Sequence, residues 1–351
     1  MFAESFDLRR IGISAALGAA ILFGSGTSLA KWLLSSVNPW LLAGLLYLGS
    51  GFGLTIYRLL RRSPRVQLAP GEWPWLAGAI FAGGVIGPVL LMFGLTAMPA
   101  SGASLLLNAE GVFTALLAWF VFHENVDCRI ALGMAAIVAG ALVLSWPGEP
   151  RLDDAWPALA ILGACLAWGI DNNLTCKVSL SDASWLASIK GLAAGTVNLT
   201  LAFLFGADCP PWVNLVEALV VGWLAYGVSL ALFVVGLRYL GTARTGAYFS
   251  IAPFFGAILS ILLLDEPIDS GLLLAGGLMG VGVWLHLTER HSHTHTHNEI
   301  GHEHDHEHDE HHQHPHNELI PPGIKHTHWH WHEPIIHIHP HFPDMHHRHG
   351  H

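Results

Sequence analysis

Six amide, carboxyl and amine side chains interrupt long apolar stretches of this sequence, where such groups are uncommon. They are Asn108, Glu110, Asp171, Asn172, Asn173 and Lys190. Ionisable groups inside a membrane span are costly, so they mark a substrate or ion path by default. Glu110 has the chemistry to bind a cation or to exchange a proton, and the amides supply oxygen ligands or hydrogen bonds. We therefore predict that these side chains line the path of a small substrate.

Structural roles are the alternative for each part of this set. For Glu110 the structural alternative is a hydrogen bond to a neighbouring helix. For the polar run Asp171–Asn173 the alternative is that the helix ends early at this point. Lys190 can extend its long stem to the membrane interface, or it can pair with Asp171 or Glu110. A fixed positive charge at that depth suits an anionic or zwitterionic substrate and opposes a bare divalent cation.

Histidines dominate the last part of the sequence. All but two of the 25 histidines lie from His291 onward, where they alternate with threonine, tryptophan and acidic residues. Imidazole suits Ni, Co, Zn and Cu ions, and binding should weaken below about pH 6.5, where imidazole becomes protonated. A tail that only responds to pH or only improves solubility is the alternative. The predicted metal ligands are His291, His293, His295, His297, His302, His304, His306, His308, His311, His312, His326, His328, His330 and His332.

The composition indicates that lipid surrounds most of the chain. Of the 351 residues, 52% are hydrophobic and 12% are charged, whereas soluble domains carry about 25% charged residues. The four cysteines form no CxxC pair and indicate no disulfide framework. Ten apolar runs have roughly the 20 residues that a membrane helix needs. These predicted spans are Ile11–Ala30, Pro39–Tyr57, Trp75–Met98, Ser101–Phe122, Ile130–Trp146, Trp156–Thr175, Trp185–Phe205, Leu215–Leu237, Thr245–Leu264 and Gly271–Leu287.

The positive charges predict how these spans are oriented, because lysine and arginine accumulate on the cytoplasmic side of a membrane. If the N-terminus lies inside, only Lys31 and Arg151 fall on the opposite side. We therefore predict a multi-pass protein of the cell membrane, plasma or inner, with both termini in the cytoplasm. The cytoplasmic charges are then Arg9, Arg10, Arg58, Arg61, Arg62, Arg65, Arg129, Lys177, Arg238, Arg244 and Arg290.

The two halves of the apolar region resemble each other. Gly94–Val126 aligns without a gap with Gly236–Ile268, at a constant offset of 142 positions. Each half holds five predicted spans, and an odd number places the second half upside down relative to the first. Inverted repeats are typical of secondary transporters, whose substrate site lies near the midplane between the repeats.

We accordingly predict an all-α membrane protein of ten transmembrane helices, arranged as two inverted five-helix repeats. The first repeat covers residues 1–150 and the second covers 151–290. From 291 to 351 the sequence has no apolar periodicity from which to build a core, so we predict a disordered, metal-binding cytoplasmic tail.

The stretch Ala103–Glu124 contains Glu110-Gly111 and ends with His123 before the final glutamate. This pattern resembles the fourth helix of the EamA family, in the drug/metabolite transporter superfamily. Members of that family typically have Glu-Pro inside this helix and Gly-Glu at its end, so this chain departs from the pattern at Gly111 and His123. The resemblance covers about residues 11–287 and implies a ten-helix transporter, without indicating its substrate.

These features favour a secondary active transporter that exports a small solute linked to a divalent metal such as Ni, Co or Zn. One alternative is a metabolite or amino-acid exporter with a regulatory metal-binding tail, and another is a membrane metal sensor or store that transports nothing. The sequence contains no HExxH, no GxSxG and no phosphate-binding loop. We therefore predict no enzyme activity and no required cofactor, and we expect the tail to bind a divalent transition metal such as Ni, Co, Zn or Cu. The expected partners are the lipid bilayer and a small-molecule or metal-ion substrate, with no nucleic acid, and homodimer formation is left open.

Overall fold

The computed structural model describes residues 2–64, 66, 68–122, 128–145, 152–178, 181–240 and 248–288, and four tail segments at 292–297, 300–306, 326–332 and 335–340. The chain forms two compact units, Met1–Glu289 and Arg290–His351. In the described residues the first unit is helical, whereas the second contains short strands.

Within the described residues, helices coincide with the ten predicted spans, because a chain in lipid must satisfy its backbone hydrogen bonds internally. Two π-helical segments, Ile80–Ile86 and Trp223–Val228, each join two α-helices in line, and a 3₁₀ turn at Pro70–Glu72 precedes the third span. The described α-helices are α1 Phe2–Leu33, α2 Pro39–Leu60, α3 Trp73–Ala79, α4 Gly87–Ala97, α5 Ala100–Leu106, α6 Ala109–Phe122, α7 Cys128–Ser145, α8 Leu152–Cys176, α9 Ala183–Leu204, α10 Trp212–Gly222, α11 Ser229–Leu240, α12 Ala252–Leu264 and α13 Ser270–Leu287.

Six helical segments of the described chain are long and apolar enough to cross a membrane. Shorter apolar helices occupy the predicted fifth, ninth and tenth spans, and the 25-residue helix α8 occupies the sixth. The prediction of an all-α membrane protein is therefore confirmed. The six long segments are Ile11–Leu33, Pro39–Leu60, Pro70–Ala97, Ala100–Val121, Ala183–Leu204 and Trp212–Gly236.

The fourth predicted span is broken into α5 and α6 by a turn at residues 107–108. The backbone N–H of Asn108 donates to the carbonyl of Leu105 at 3.0 Å, three residues back instead of four. The side-chain amide of Asn108 donates to the same carbonyl at 2.9 Å. Such local bonds let asparagine compete with the helical hydrogen-bond pattern, which explains a break without proline.

A matching break lies in the ninth predicted span, where a turn at residues 250–251 precedes α12. Pro253 lies in the first turn of α12, where its missing N–H removes no helical bond. The two halves therefore share a helix that is discontinuous part-way across the membrane. Discontinuous helices of this kind build the substrate sites of many transporters.

Pro88 explains the π-helical segment of the third span. Proline has no N–H, so the carbonyl of Gly84 has no helical donor four residues onward. In the π segment the N–H of Gly87 bonds five residues back, which leaves the carbonyl of Gly83 without that donor as well. Side chains of neighbouring helices supply the missing bonds, as is usual for proline inside a membrane helix. The side-chain amide of Asn198 donates to the carbonyl of Gly84 at 2.9 Å.

Close packing of α2 against α9 joins the two repeats. A methyl group placed on Gly191 would lie 2.8 Å from the Cα of Gly51, and one on Gly195 would lie 2.9 Å from the carbonyl oxygen of Gly44. Lipid provides no hydrophobic force between helices, so this near approach of backbones is what holds them together. The glycines therefore determine how closely side chains on α2 and α9 approach one another.

The tail contains two antiparallel pairs of strands, β1 Ser292–His297 with β4 Ile335–Pro340 and β2 Ile300–His306 with β3 His326–His332. In these segments the structure differs from the disorder that we predict for the tail. Histidine at every second position is a pattern of period two, which is the period of a β-strand. The missing apolar core favours disorder, whereas the period of the histidines favours strands.

Candidate functional site

An ion pair joins α8 and α9 within the helical unit. Nζ of Lys190 lies 2.5 Å from Oδ1 and 2.7 Å from Oδ2 of Asp171, and it donates to Oγ1 of Thr175 at 3.2 Å. The hydroxyl of Thr175 in turn donates to Oδ1 of Asp171 at 2.8 Å. The side chains of Lys190 and Asp171 are only 18% and 10% exposed. Of the partners considered for Lys190 the structure selects Asp171, and α8 continues past this cluster, so the helix does not end early there.

Glu110 provides a second carboxylate beside this pair. Its Oε1 accepts a hydrogen bond of 2.9 Å from Nδ2 of Asn172, the residue that follows Asp171 on α8. The same amide donates to Oγ1 of Thr114 at 3.2 Å. Glu110 lies in the first turn of α6, directly after the helix break, where the helix N-terminus favours a negative charge. Because Asn172 is exposed and Glu110 half-buried, the carboxylate is reachable from outside the packed helices.

The carbonyl of Gly83 completes the cluster from the π-helical segment. It accepts a hydrogen bond of 2.8 Å from the hydroxyl of Tyr47 and one of 2.9 Å from the indole N–H of Trp168. Gly83 also faces Asp171, since a methyl group placed on it would overlap the carboxylate. Glycine is therefore required at this position if the ion pair is to lie beside the irregular backbone. The cluster combines side chains from both repeats.

The other two predicted site residues have structural partners. Nδ2 of Asn173 donates to the carbonyl oxygens of Thr114 at 3.2 Å and Gly169 at 2.9 Å, so it attaches α8 to α6. Asn108 is buried and forms the break between α5 and α6. Both amides therefore bond to helix backbone, and the charged members of the set lie together around α8.

Sequence reasoning missed five residues that complete the cluster. Only Gly83 left a signal, because two adjacent glycines shortly before a proline indicate irregular backbone inside a span. Aromatic and threonine side chains are frequent in membrane helices, so the others carried no local signal. The missed residues are Tyr47, Gly83, Thr114, Trp168 and Thr175.

The repeat does not duplicate the charges. At the offset of 142 positions Glu110 corresponds to Ala252, and at the offset of 145 that relates Trp185 to Trp40, Lys190 corresponds to Leu45. Since the equivalent places in the other repeat are apolar, the shared scaffold does not require a charge there. The charged cluster is an addition to the scaffold, which favours a role in function over one in folding.

A separate ion pair lies where α2 ends and α9 begins. Nη1 of Arg58 donates to Oδ1 of Asp182 at 2.6 Å and to Oγ of Ser184 at 2.8 Å. Asp182 also caps α9 by accepting a bond of 2.9 Å from the N–H of Trp185. Partial burial by itself would raise the pKa of Asp182, but the bonds from Ser184, Trp185 and Arg58 outweigh it and lower the pKa.

Comparison with protein families decides the class of this molecule. The model of a family described as "EamA-like transporter family" matches residues 10–146 and, a second time, residues 155–288. The chain belongs to the EamA-like transporter family. One match falls in each predicted five-helix unit, and the resemblance inferred from Ala103–Glu124 is confirmed. As a member of the family, the protein is a multi-pass membrane transporter rather than an enzyme.

Relatives named as transporters extend over most of the chain. An "uncharacterized transporter" of Methanothermobacter thermautotrophicus is 27% identical over 301 residues, which cover 80% of this chain and 88% of the relative. A "probable amino-acid metabolite efflux pump" of Escherichia coli is 24% identical, with coverage of 80% and 95%. A "probable terminal-alkyne amino-acid exporter" of Streptantibioticus cattleyicolor is 25% identical, with coverage of 66% and 82%. One solved crystal structure superposes with a TM-score of 0.60 at 19% identity, covering 78% of this chain and 95% of that one, which supports the fold alone.

The histidines predicted to bind metal fall into two groups. Four of them, His291, His308, His311 and His312, lie outside the described residues, and the other ten occupy positions on β1, β2 and β3. Where the structure describes side chains, no group of three or more histidine, cysteine, aspartate or glutamate residues is close enough to hold a metal ion.

Proposed function

We propose that this transporter exports a small zwitterionic solute of the amino-acid class. The solute's carboxylate binds at Lys190, and its ammonium group binds at the carboxylates of Asp171 and Glu110. The observation that carries the proposal is the hydrogen-bonded pair of Lys190 and Asp171 beside the Asn172–Glu110 bond, at a helix break between the two repeats.

The sign of the charges selects the class of solute. Lys190 repels a bare divalent cation, and the repulsion is stronger in the low dielectric of a membrane protein than in water. A zwitterion brings one charge of each sign, so it can replace the partners of Lys190 and Asp171 with its own groups and leave no charge unpaired. The names of two relatives, an amino-acid exporter and an amino-acid metabolite efflux pump, agree with this class.

Transport would follow from the arrangement of the two repeats. Helix α6 belongs to the first repeat, whereas α8 and α9 belong to the second, so a rocking of one repeat against the other exposes the cluster to each side in turn. With both termini in the cytoplasm, Lys190 lies in the cytoplasmic half of α9. We infer that an ion gradient drives export, and Glu110 is the group best suited to carry the coupling proton or cation.

A solute linked to a divalent metal is the second candidate, and the histidine-rich tail favours it. A metabolite that complexes Ni, Co or Zn can carry zero or negative net charge, and such a complex would tolerate Lys190. In the first proposal the tail has a regulatory role instead. Membership in a transporter family favours both candidates over a metal sensor or store without transport.

Efflux of a panel of labelled amino acids from preloaded cells tests the proposal. We expect Lys190→Gln, Asp171→Asn and Glu110→Gln each to slow export by about tenfold or more, since a hydrogen bond to a charged group contributes roughly 1.5–3 kcal/mol. Glu217→Gln is the matched control, because it makes the same change on α10 outside the cluster and should leave export unchanged. Wild-type efflux from the Lys190 and Glu110 variants would exclude this site.

The second candidate is tested in the same cells by growth in Ni, Co, Zn and Cu salts. Resistance that falls both in a chain lacking residues 291–351 and in Glu110→Gln would favour a metal-linked solute. Resistance that does not change in either variant, together with loss of amino-acid efflux in Glu110→Gln, would favour the amino-acid class.

A further inference from the structure

The strand register of the tail places histidines opposite histidines. In the ribbon of β2 and β3, His304 pairs with His328, and the residues between the histidines pair with each other, as Glu303 does with Trp329. The ribbon of β1 and β4 has two such pairs, and one histidine of each ribbon faces an isoleucine instead, His297 facing Ile335 and His332 facing Ile300. The complete set of facing pairs is His302 with His330, His304 with His328, His306 with His326, His293 with His339 and His295 with His337.

This register gathers the histidines on one face of each ribbon. Facing residues of an antiparallel pair share a face and have Cβ atoms about 4.5–5.5 Å apart, and residues two positions along a strand share that face at about 7 Å. The intervening positions, which carry threonine, isoleucine, glycine, tryptophan and acidic residues, then share the opposite face. A slip by a single residue would place histidines opposite other residue types, such as tryptophan and threonine in one ribbon and isoleucine in the other. Alternating composition by itself does not produce this arrangement, because the register decides it.

We propose that each ribbon is a binding site for divalent transition-metal ions, formed at its successive facing histidine positions. Two neighbouring pairs supply four imidazoles, which is the number of ligands in a closed tetrahedral zinc site. Imidazole equally suits Ni²⁺, Co²⁺ and Cu²⁺, so the ribbon selects the class of ion by ligand chemistry rather than one metal. With three pairs on β2 and β3 and two on β1 and β4, each ribbon holds at least one ion. The inference concerns the tail and does not depend on which solute the helices carry.

The test changes the register without changing the composition. Exchanging His328 with Trp329 keeps every residue type but removes the central facing pair of the β2–β3 ribbon, and a slip cannot restore all three pairs. Exchanging His295 with Thr296 removes one of the two facing pairs of the β1–β4 ribbon. The control exchanges His316 with Asn317, outside the four strands.

Purified full-length protein is titrated with Zn²⁺ by calorimetry, and with Co²⁺ by visible absorption, which reports tetrahedral coordination. We expect each ribbon exchange to weaken the tight Zn²⁺ sites of its own ribbon by at least about tenfold, because the loss of direct ligands exceeds the roughly 10–100-fold cost of losing an outer-shell contact. The control should bind like the wild type. Identical titrations for wild type and both ribbon exchanges, or equal weakening in the control, would overturn the proposal, since binding would then depend only on histidine content.

Discussion

The ion pair between Lys190 and Asp171 can be removed from either side or from both. Lys190→Met replaces the amine with an apolar side chain of similar length, and Asp171→Asn keeps the shape of the carboxylate without its charge. Each single variant leaves the other charge of the pair without its partner among the helices. The double variant removes both charges, so neither is left unpaired.

The structure indicates the size of the effect. Both carboxylate oxygens of Asp171 bond to the amine of Lys190, and the two side chains are 10% and 18% exposed, so little water compensates a lost partner. Removing one member of a buried pair costs roughly 3–5 kcal/mol, whereas replacing both members is often nearly neutral. We expect each single variant to be destabilised by about 3 kcal/mol, since neither side chain is completely buried. The double variant should be destabilised by clearly less than either single variant.

Reversible unfolding in mixed detergent micelles measures these free energies, and efflux measures function in the same four proteins. The double variant should be folded yet inactive in export, which separates the stability of the pair from its part in substrate binding. Additive losses in the double variant would show that the two charges act independently. Normal export by a stable double variant would refute the assignment of the pair to the substrate site.

Three further predictions concern single residues of the described chain. Gly83→Ala places a methyl group against the carboxylate of Asp171, so we expect lost export and a destabilisation of about 1–3 kcal/mol, measured by the same assays. Glu266→Gln weakens two bonds that the carboxylate accepts from the first N–H groups of α5, at 2.6 and 2.8 Å, and should lower the free energy of unfolding by about 1–2 kcal/mol. Asp182→Asn removes a carboxylate whose pKa is lower in the folded protein than in the unfolded chain. The charge of Asp182 therefore stabilises the folded protein fully above about pH 4, the ordinary pKa of aspartate. This stabilisation is lost as the pH falls through the lowered pKa. The difference in unfolding free energy between wild type and Asp182→Asn, followed from neutral to strongly acidic pH, should therefore disappear at the acidic end.

Matched controls make these three predictions specific. The added methyl group of Gly111→Ala on α6 has no atom within 4 Å, so this variant should be neutral or slightly stabilising. If it lost as much stability and export as Gly83→Ala, the contact with Asp171 would not be the cause of the Gly83→Ala effect. Glu217→Gln is the control for Glu266→Gln. Equal destabilisation in both variants would show that the bonds from α5 to Glu266 do not contribute to stability. Asp208→Asn changes an exposed carboxylate, and a pH profile identical to that of Asp182→Asn would exclude the pair with Arg58 as the cause.

Helix positions were the part of the fold that sequence reasoning predicted well. Runs such as Pro39–Tyr57 and Trp185–Phe205 are long, apolar and bounded by charges or turns, and they correspond to helices α2 and α9. The packing of α2 against α9 was not predictable, because it depends on glycines of each helix contacting the backbone of the other helix. The π-helical segments were missed for a similar reason, since the effect of Pro88 depends on donors from other helices.

The site was only partly predictable. Ionisable residues in apolar runs are rare enough to identify Glu110, Asp171 and Lys190 without any structure. Tyr47 and Trp168 belong to the cluster only because the carbonyl of Gly83 lies within reach of both. The strand pairing of the tail was likewise missed, because the sequence shows that histidines alternate but not which histidines face each other.

The apolar runs alone establish that this chain crosses a membrane many times as helices in two related halves, because runs of that length have no other stable conformation in lipid. The order of residues along those runs also establishes which ionisable residues lie among the helices. The bond between Lys190 and Asp171, and the bond between Glu110 and Asn172, are visible only in the folded chain. Those contacts depend on how closely and at what rotation whole helices pack, and packing between distant segments leaves no periodic pattern along the chain.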